Sequence, residues 1–203
     1  FRALQHQGCQ GTEESHAYLI AALKDQSANI RAAAAKWMIH EYAREALQAA
    51  LGDEDAEVRI QVALALGNLG DKEVLPIVLQ AINDKRDDVR RSSILALREI
   101  GGEEAVKGLI EALHEESYFN KKLAIESLGS LGDVSAVEPL IEAMEEALDG
   151  GYDELQGLIA IALGDLGDKR ALPVLEKGLE CFSGDGPDVD IEDAIERINQ
   201  RGQ

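Results

Sequence analysis

Residues 55–71 read DAEVRIQVALALGNLGD, and this stretch carries the pattern that decides the fold. Its apolar residues recur at helical spacing and predict a helix with one buried face: Val58, Val62, Ala65, Leu66 and Leu69. Gly70 is expected to end this helix in the left-handed conformation, and Asp71 is expected to cap the next one. A second apolar series follows after a short turn, so the two helices should lie side by side as an antiparallel pair.

The same pattern returns along the chain. Val58 and Val89 are 31 residues apart, and Val89 and Asn120 are again 31 residues apart. The sequence Leu-Gly-x-Leu-Gly-Asp recurs at 128–133 and 163–168. Such a period is typical of stacked helical units that each bury one face against a neighbour. We therefore predict an all-α fold, a right-handed α-solenoid (superhelix) of antiparallel helix pairs.

The units of this single array, residues 1–203, are not uniform. The unit over 26–54 is short and lacks the Leu-Gly-Asp turn, whereas a loop around Gly150 and Gly151 is expected to lengthen another. The chain opens part-way through a unit, so either sequence precedes Phe1 or the first ten residues form a degenerate cap. The predicted segments are a partial unit over 1–25, repeats over 26–54, 55–85, 86–116, 117–151 and 152–182, and a capping helix over 187–200.

These residues resemble the HEAT-like repeats of the phycobilisome-lyase type. The hallmark Asp-x-x-Val-Arg is matched at 55–59, followed by Ala-Leu-Gly-x-Leu-Gly-Asp at 65–71, whereas Lys121 and Gln156 stand where the pattern has Arg. The resemblance spans nearly the whole chain and implies a fold of HEAT-like helix pairs. It also implies two functions, since some members are subunits of lyases that attach or remove bilins on cyanobacterial light-harvesting proteins. Many others look like protein-binding scaffolds.

The net charge of −19, from 39 acidic and 20 basic residues, limits the classes of partner that the chain is expected to bind. It argues against nucleic acid, which needs clustered Lys and Arg, and against an anionic membrane surface. It favours a protein with a basic patch, or it serves solubility alone. Because no apolar stretch could span a bilayer and no signal peptide is visible, we expect a cytoplasmic protein. Cys9 and Cys181 lie near opposite ends of the array, so no disulfide is expected between them.

The second helices should line the concave side of the array, and their outward positions are mostly acidic. This surface is either a solvated face or complementary to a basic helix or patch. Its candidate partner-binding residues are Glu104, Lys107, Glu111, Glu138, Glu142, Glu145, Arg170 and Lys177. Trp37 is a further candidate, because the other units carry small residues in its slot. It either fills space beside the incomplete first unit or anchors a partner.

An arginine near the start of the first helices recurs as Arg31, Arg59 and Arg90. These side chains either pair with Asp residues of the same or the next turn or form a ladder for an acidic ligand. We favour the structural interpretation, because residues that recur in each repeat usually hold the repeats together.

The sequence gives no support for catalysis or for a bound cofactor. It has neither a nucleophile elbow nor a Gly-rich phosphate loop, and its glycines are interpreted as helix terminators. His40-Glu41 should end a first helix and His114-Glu115 a second helix, so the two pairs do not converge and no metal site is predicted.

We therefore predict a non-enzymatic scaffold that binds another protein. The alternative is a subunit of a phycobilin lyase or isomerase that handles a bilin chromophore on a phycobiliprotein. Bilin propionates would need Arg or Lys, and the predicted groove offers only Lys107, Arg170 and Lys177.

Overall fold

The computed structural model describes residues 13–38, 40–181 and 188–201, and these contain helices and turns but no strand. They form two compact units, which meet in the sequence between Ile100 and Gly101. We call them the N-terminal unit and the C-terminal unit. The predicted all-α fold of antiparallel helix pairs is confirmed. Predictions for the first ten residues, including Cys9, lie outside the described residues.

The N-terminal unit contains six described helices. They are α1 (Glu13–Ala22), α2 (Ala28–Trp37), α3 (Arg44–Ala50), α4 (Ala56–Asn68), α5 (Leu75–Ala81) and α6 (Asp87–Ile100). The first helices α2, α4 and α6 pack side by side, and the second helices α1, α3 and α5 pack against them. Val58, Val62 and Leu66 are fully buried in α4, as their helical spacing predicts.

The C-terminal unit repeats this two-layer arrangement. Its described helices are α7 (Glu103–Glu111), α8 (Tyr118–Leu131), α9 (Val137–Gly150), α10 (Asp153–Leu166), α11 (Leu172–Cys181) and α12 (Asp188–Arg201). The helices α8, α10 and α12 form one layer, and α7, α9 and α11 form a second layer that packs against it. No helix in the described ranges is long and apolar enough to cross a membrane.

The last Gly-Asp of the repeated motif makes the turn inside each helix pair. Gly70 has φ of 81°, which confirms the predicted left-handed turn. Asp71 then accepts a hydrogen bond from the backbone N–H of Glu73 at 3.1 Å and caps the short turn that leads into α5. Asp133 and Asp168 cap the corresponding turns of the C-terminal unit, where each accepts a backbone N–H at 2.9 Å.

The first Gly of the motif has a different role, so the interpretation of the glycines as helix terminators is only partly right. A Cβ on Gly129 would lie 3.0 Å from the Cα of Ala162, and one on Gly164 would lie 2.9 Å from the Cα of Ala194. The distance at Gly164 is too short for a real Cβ and the distance at Gly129 is at the lower limit, so glycine permits the close packing of neighbouring first helices at both positions. The motif therefore uses one glycine for packing and one for the turn.

The predicted loop around Gly150 is only partly right: the chain leaves the helix at Gly151, but most of the extra residues of this unit extend that helix. Helix α9 has 14 residues, whereas α7 has nine followed by a 3-10 turn at Ala112–His114, and α11 has ten within the described residues. It runs through Gly150 and ends at Gly151, whose φ is 66°. The N–H of Tyr152 donates back to the carbonyl of Ala147 at 3.0 Å. Ala147 is also buried in this added turn, so packing keeps it helical.

The recurring arginines hold neighbouring repeats together, as the structural interpretation predicts. Arg31 donates to both carboxylate oxygens of Asp53, at the end of the same repeat, at 2.7 and 2.8 Å. The Nη1 groups also donate to carbonyls six residues earlier: Arg31 to Asp25 at 2.9 Å, Arg59 to Asp53 at 2.8 Å and Arg90 to Asp84 at 3.0 Å. These hydrogen bonds satisfy carbonyls that follow the second helices.

Candidate protein-binding face

The acidity of the chain is concentrated in one of its two units. Residues 1–100 contain 15 acidic and 12 basic residues, whereas residues 101–203 contain 24 acidic and 8 basic residues. The corresponding net charges are −3 and −16. A basic partner is therefore attracted mainly to the C-terminal unit.

Eight of the nine candidate binding residues lie in this C-terminal unit, and all eight are exposed. Helix α7 carries Glu104, Lys107 and Glu111; α9 carries Glu138, Glu142 and Glu145; Arg170 lies in the turn before α11, and Lys177 lies on α11. The ninth candidate, Trp37, is separated from them because it is the last residue of α2 in the N-terminal unit. There it is half-buried. The binding role of all nine residues stays a prediction.

Two of the three cations in this set are already held by carboxylates. The Nζ of Lys107 lies 2.8 Å from Glu103 and 2.9 Å from Glu104, and these contacts raise the pKa of Lys107. Arg170 lies 2.8 Å from Asp168 and 2.9 Å from Glu138. Its hydrogen bonds lower the pKa of Asp168 to about 2. An anionic ligand at either cation would have to compete with these carboxylates.

Helix α9 presents a row of carboxylates that we call the acidic stripe: Glu138, Glu142, Glu145 and Asp149. All four are exposed, and their spacing of four, three and four residues places them along one side of the helix. The opposite side is buried through Leu140, Met144 and Ala147, among others. Within the described part of the chain, Glu138 is the only member of the stripe that forms an ion pair.

The acidic stripe is unfavourable for its own helix only near the C-terminal end, since Glu138 lies in the first turn. The C-terminal end of a helix carries a partial negative charge, which basic residues normally compensate. Helix α9 has no basic residue in its last turn, and Glu146 adds a further exposed carboxylate beside Glu145 and Asp149. The last turns of α9 therefore hold negative charge that the described part of the protein does not neutralise.

Two aromatic features were not found by sequence reasoning. The ring of Tyr152 covers Gly150, where a Cβ would overlap it, and Tyr152 is still 59% exposed. In the N-terminal unit, the rings of His16 and Tyr42 stack with centroids 3.5 Å apart, and His40 lies 6.0 Å from Tyr42. Burial raises the pKa of Tyr42. His16 lies 24 residues before His40 in the sequence, so no local pattern could have placed it beside His40 and Tyr42.

The two His-Glu pairs lie in different units. His40 follows the end of α2 at Trp37, so the prediction that it ends a first helix is wrong. The helix stops three residues earlier. His114 lies in the short turn after α7. Among the described residues, no group of three or more His, Cys, Asp or Glu side chains has an arrangement that could hold a metal ion.

Comparison with known families gives matches over most of the chain. The model described as HEAT repeats matches residues 16–98 and 79–152, and the model described as PBS lyase HEAT-like repeat matches residues 155–181. No curated protein is significantly similar in sequence.

Several solved structures share the fold. YibA of E. coli is 23% identical over 96% of this chain and 73% of its own, with a TM-score of 0.67. An engineered protein is 19% identical over 90% of this chain and 96% of its own, with a TM-score of 0.58. The complex of CpcE and CpcF of phycocyanin lyase from Nostoc sp. PCC7120 is 19% identical over 93% of this chain and 96% of its matched chain, with a TM-score of 0.50. At these identities the similarity concerns the fold alone.

Proposed function

We propose that this chain, which belongs to the HEAT repeat family, is a non-enzymatic scaffold that binds a protein partner with a basic patch. The binding surface is the exposed acidic face of the second helices α7, α9 and α11. The observation that carries this proposal is the acidic stripe of α9, because its charge is exposed and, at its C-terminal end, unfavourable for the helix that bears it. A charge that lowers the stability of its own helix is readily explained when a partner neutralises it.

Binding at this face is expected to depend on several weak ion pairs and on the salt concentration. Exposed ion pairs are worth only about 0.2–1 kcal/mol each, so several must act together. The net charge of −16 in the C-terminal unit would speed the encounter with a basic partner. Binding should therefore weaken as salt is added, because the Debye length falls from about 10 Å at 0.1 M to about 3 Å at 1 M.

The alternative, a subunit of a phycobilin lyase or isomerase, draws on the likeness to the CpcE–CpcF complex. Its difficulty lies in the cations that bilin propionates would need. Lys107 and Arg170 are each engaged by two carboxylates at 2.8 to 2.9 Å, which leaves Lys177 as the remaining cation of the predicted set. This arrangement favours the scaffold over the lyase subunit.

Charge reversal tests the proposal. The variant Glu138→Lys/Glu142→Lys/Glu145→Lys should bind a fluorescently labelled lysine-rich peptide at least about tenfold more weakly, as measured by anisotropy. A matched control reverses three acidic residues on the first-helix layer, at Glu126, Glu192 and Asp193, all exposed. Circular dichroism checks that both variants remain helical.

Equal loss of binding in the two variants would contradict a defined binding face, because it would reflect net charge alone. Addition of free bilin, followed by visible absorption, tests the alternative. A spectral change on mixing, with no peptide binding, would favour the lyase subunit over the scaffold.

A further inference from the structure

We propose that the turn between α9 and α10 binds an arginine side chain of the partner, with the ring of Tyr152 against the guanidinium plane and the carboxylate of Glu154 as its acceptor. This inference rests on the proposed function, because the arginine belongs to the basic partner. It adds a preferred residue type and a contact site outside the acidic stripe.

The N-terminal unit shows how the corresponding turn holds a guanidinium. Arg86 directly precedes α6, and Asp88 is the second residue of that helix. The Nε and Nη2 of Arg86 donate to the two carboxylate oxygens of Asp88 at 3.2 and 3.0 Å. Its Nη1 donates to Asp55 of the preceding repeat at 3.1 Å. This paired contact needs the planar fork of a guanidinium, which the ammonium group of lysine does not have.

The turn before α10 keeps the carboxylate but has an aromatic ring in place of the arginine. Tyr152 directly precedes α10, as Arg86 precedes α6. Glu154 is the second residue of α10, as Asp88 is of α6. In the part of the chain that the structure describes, Glu154 forms one ion pair, with the Nζ of Lys122 at 3.9 Å, and its side chain is 70% exposed. Glu154 can therefore accept a guanidinium that its own turn does not supply.

The ring of Tyr152 is held in place and is still accessible. A Cβ on Gly150 would overlap this ring, so the ring packs directly over the glycine. The backbone N–H of Tyr152 donates to the carbonyl of Ala147 at 3.0 Å, which fixes the turn. The residue is nevertheless 59% exposed. A guanidinium stacks on an exposed aromatic face, and a ring that is already fixed loses little conformational freedom when it binds.

The surroundings of this turn favour a cation. Asp149 and Asp153 add exposed carboxylates on either side of Tyr152 in the sequence, and the C-terminal unit has a net charge of −16. Burial and the neighbouring carboxylate of Glu154 raise the pKa of Tyr118 to about 12. The hydroxyl of Tyr118 therefore stays neutral beside Glu154 and leaves the negative charge of the carboxylate for a ligand.

Two peptides of equal length and charge test the preferred residue type. Both have the same alanine–glutamine sequence with four basic positions, filled by arginine in one peptide and by lysine in the other. We expect the wild-type protein to bind the arginine peptide about fivefold more tightly by calorimetry. Tyr152→Ala and Glu154→Gln should each remove most of this preference. Tyr152→Phe keeps the ring and should retain it.

Two variants serve as matched controls. Tyr18→Ala removes an exposed ring from α1, and Glu192→Gln removes an exposed carboxylate from α12. Both controls should keep the preference for the arginine peptide. Circular dichroism checks that every variant remains helical, and Glu154→Gln, at an exposed position, keeps the test valid if Tyr152→Ala lowers the stability of the turn.

The outcomes separate this inference from the proposed function. Equal affinity of the wild-type protein for the two peptides would overturn the arginine site and leave the basic partner in place. A preference for arginine that survives intact in Glu154→Gln or in a folded Tyr152→Ala would also overturn the site, because the arginine would then bind elsewhere. Failure of both peptides to bind would overturn both proposals.

Discussion

The N-terminal and C-terminal units are built from the same helix pairs but place their charged residues differently. In the N-terminal unit, Arg31 and Asp53 pair within one repeat at 2.7 Å, and Arg86 reaches Asp55 in the preceding repeat at 3.1 Å. In the C-terminal unit, Lys121 and the neutral Gln156 occupy the positions of the recurring arginine, and Gln156 donates to the carbonyl of Ala147 at 3.0 Å.

This difference shows how one fold can use its carboxylates in two ways. In the N-terminal unit, arginine side chains bind carboxylates, and these ion pairs stabilise the stacked helices. In α9 most of the acidic stripe has no such partner among the described residues and faces solvent. Charge that is not used to hold the repeats together is available for binding. The comparison therefore directs the search for a partner to the C-terminal unit.

Removal of a structural carboxylate should give the largest effect. Asp53→Ala deletes both hydrogen bonds to Arg31, whose side chain is only 9% exposed, and leaves that charge without its main partner. We expect a loss of about 3 kcal/mol in the free energy of unfolding, measured by urea denaturation. Asp149→Ala is the matched change in the acidic stripe and should lie within about 0.5 kcal/mol of the wild type or increase stability. A loss of similar size in both variants would remove the distinction between the two units.

Acid titration should reveal the contribution of the Asp53 carboxylate to stability. The hydrogen bonds from Arg31 lower the pKa of Asp53 in the folded protein. Its contribution to stability is therefore complete above the unfolded pKa of about 3.9 and is lost as the pH falls towards the folded pKa. Asp53→Asn should flatten this part of the stability curve. Urea denaturation at a series of pH values from about 6 to about 3 measures this change. An unchanged pH dependence would show that the contact with Arg31 does not stabilise the fold.

Neutralisation of the acidic stripe should give a smaller effect of opposite sign. The variant Glu142→Gln/Glu145→Gln/Asp149→Asn removes negative charge from the middle and the C-terminal end of α9, and the helix dipole disfavours that charge at the C-terminal end. We expect a gain of about 1 kcal/mol in unfolding free energy that diminishes in high salt.

The control for this gain uses acidic residues at the other end of a helix. Glu103 and Glu104 lie in the first turn of α7 and pair with Lys107, so Glu103→Gln/Glu104→Gln should lower stability. Destabilisation by the stripe variant would contradict the view that its charge is retained for binding.

Much of the fold could be predicted because its rules are local. The spacing of Val58, Val62 and Leu66 reveals the buried face of α4, and Gly70 and Asp71 determine the turn that follows. The added turn of α9 could not be read in this way, since Asp149-Gly150-Gly151 has the composition of a loop. Burial of Ala147 and the packing of neighbouring helices, which are tertiary effects, keep the segment helical.

The candidate site was predictable only as a set of exposed positions. Helical periodicity places Glu142 and Glu145 on the outer side of α9, where the structure has them. It could not reveal that Arg170 reaches Glu138, because the two residues are 32 positions apart. The distribution of charge within the site depends on such contacts, and these follow from the packing of α9 against α11.

The most direct test of the binding face is the affinity ratio between two variants of equal net charge. Calorimetry with the lysine-rich peptide compares Glu142→Gln/Glu145→Gln/Asp149→Asn with Glu126→Gln/Glu192→Gln/Asp193→Asn. If the acidic stripe is the binding face, the first variant should bind about tenfold more weakly than the second. A ratio near one would contradict the account, because any three carboxylates of the C-terminal unit would then serve equally well.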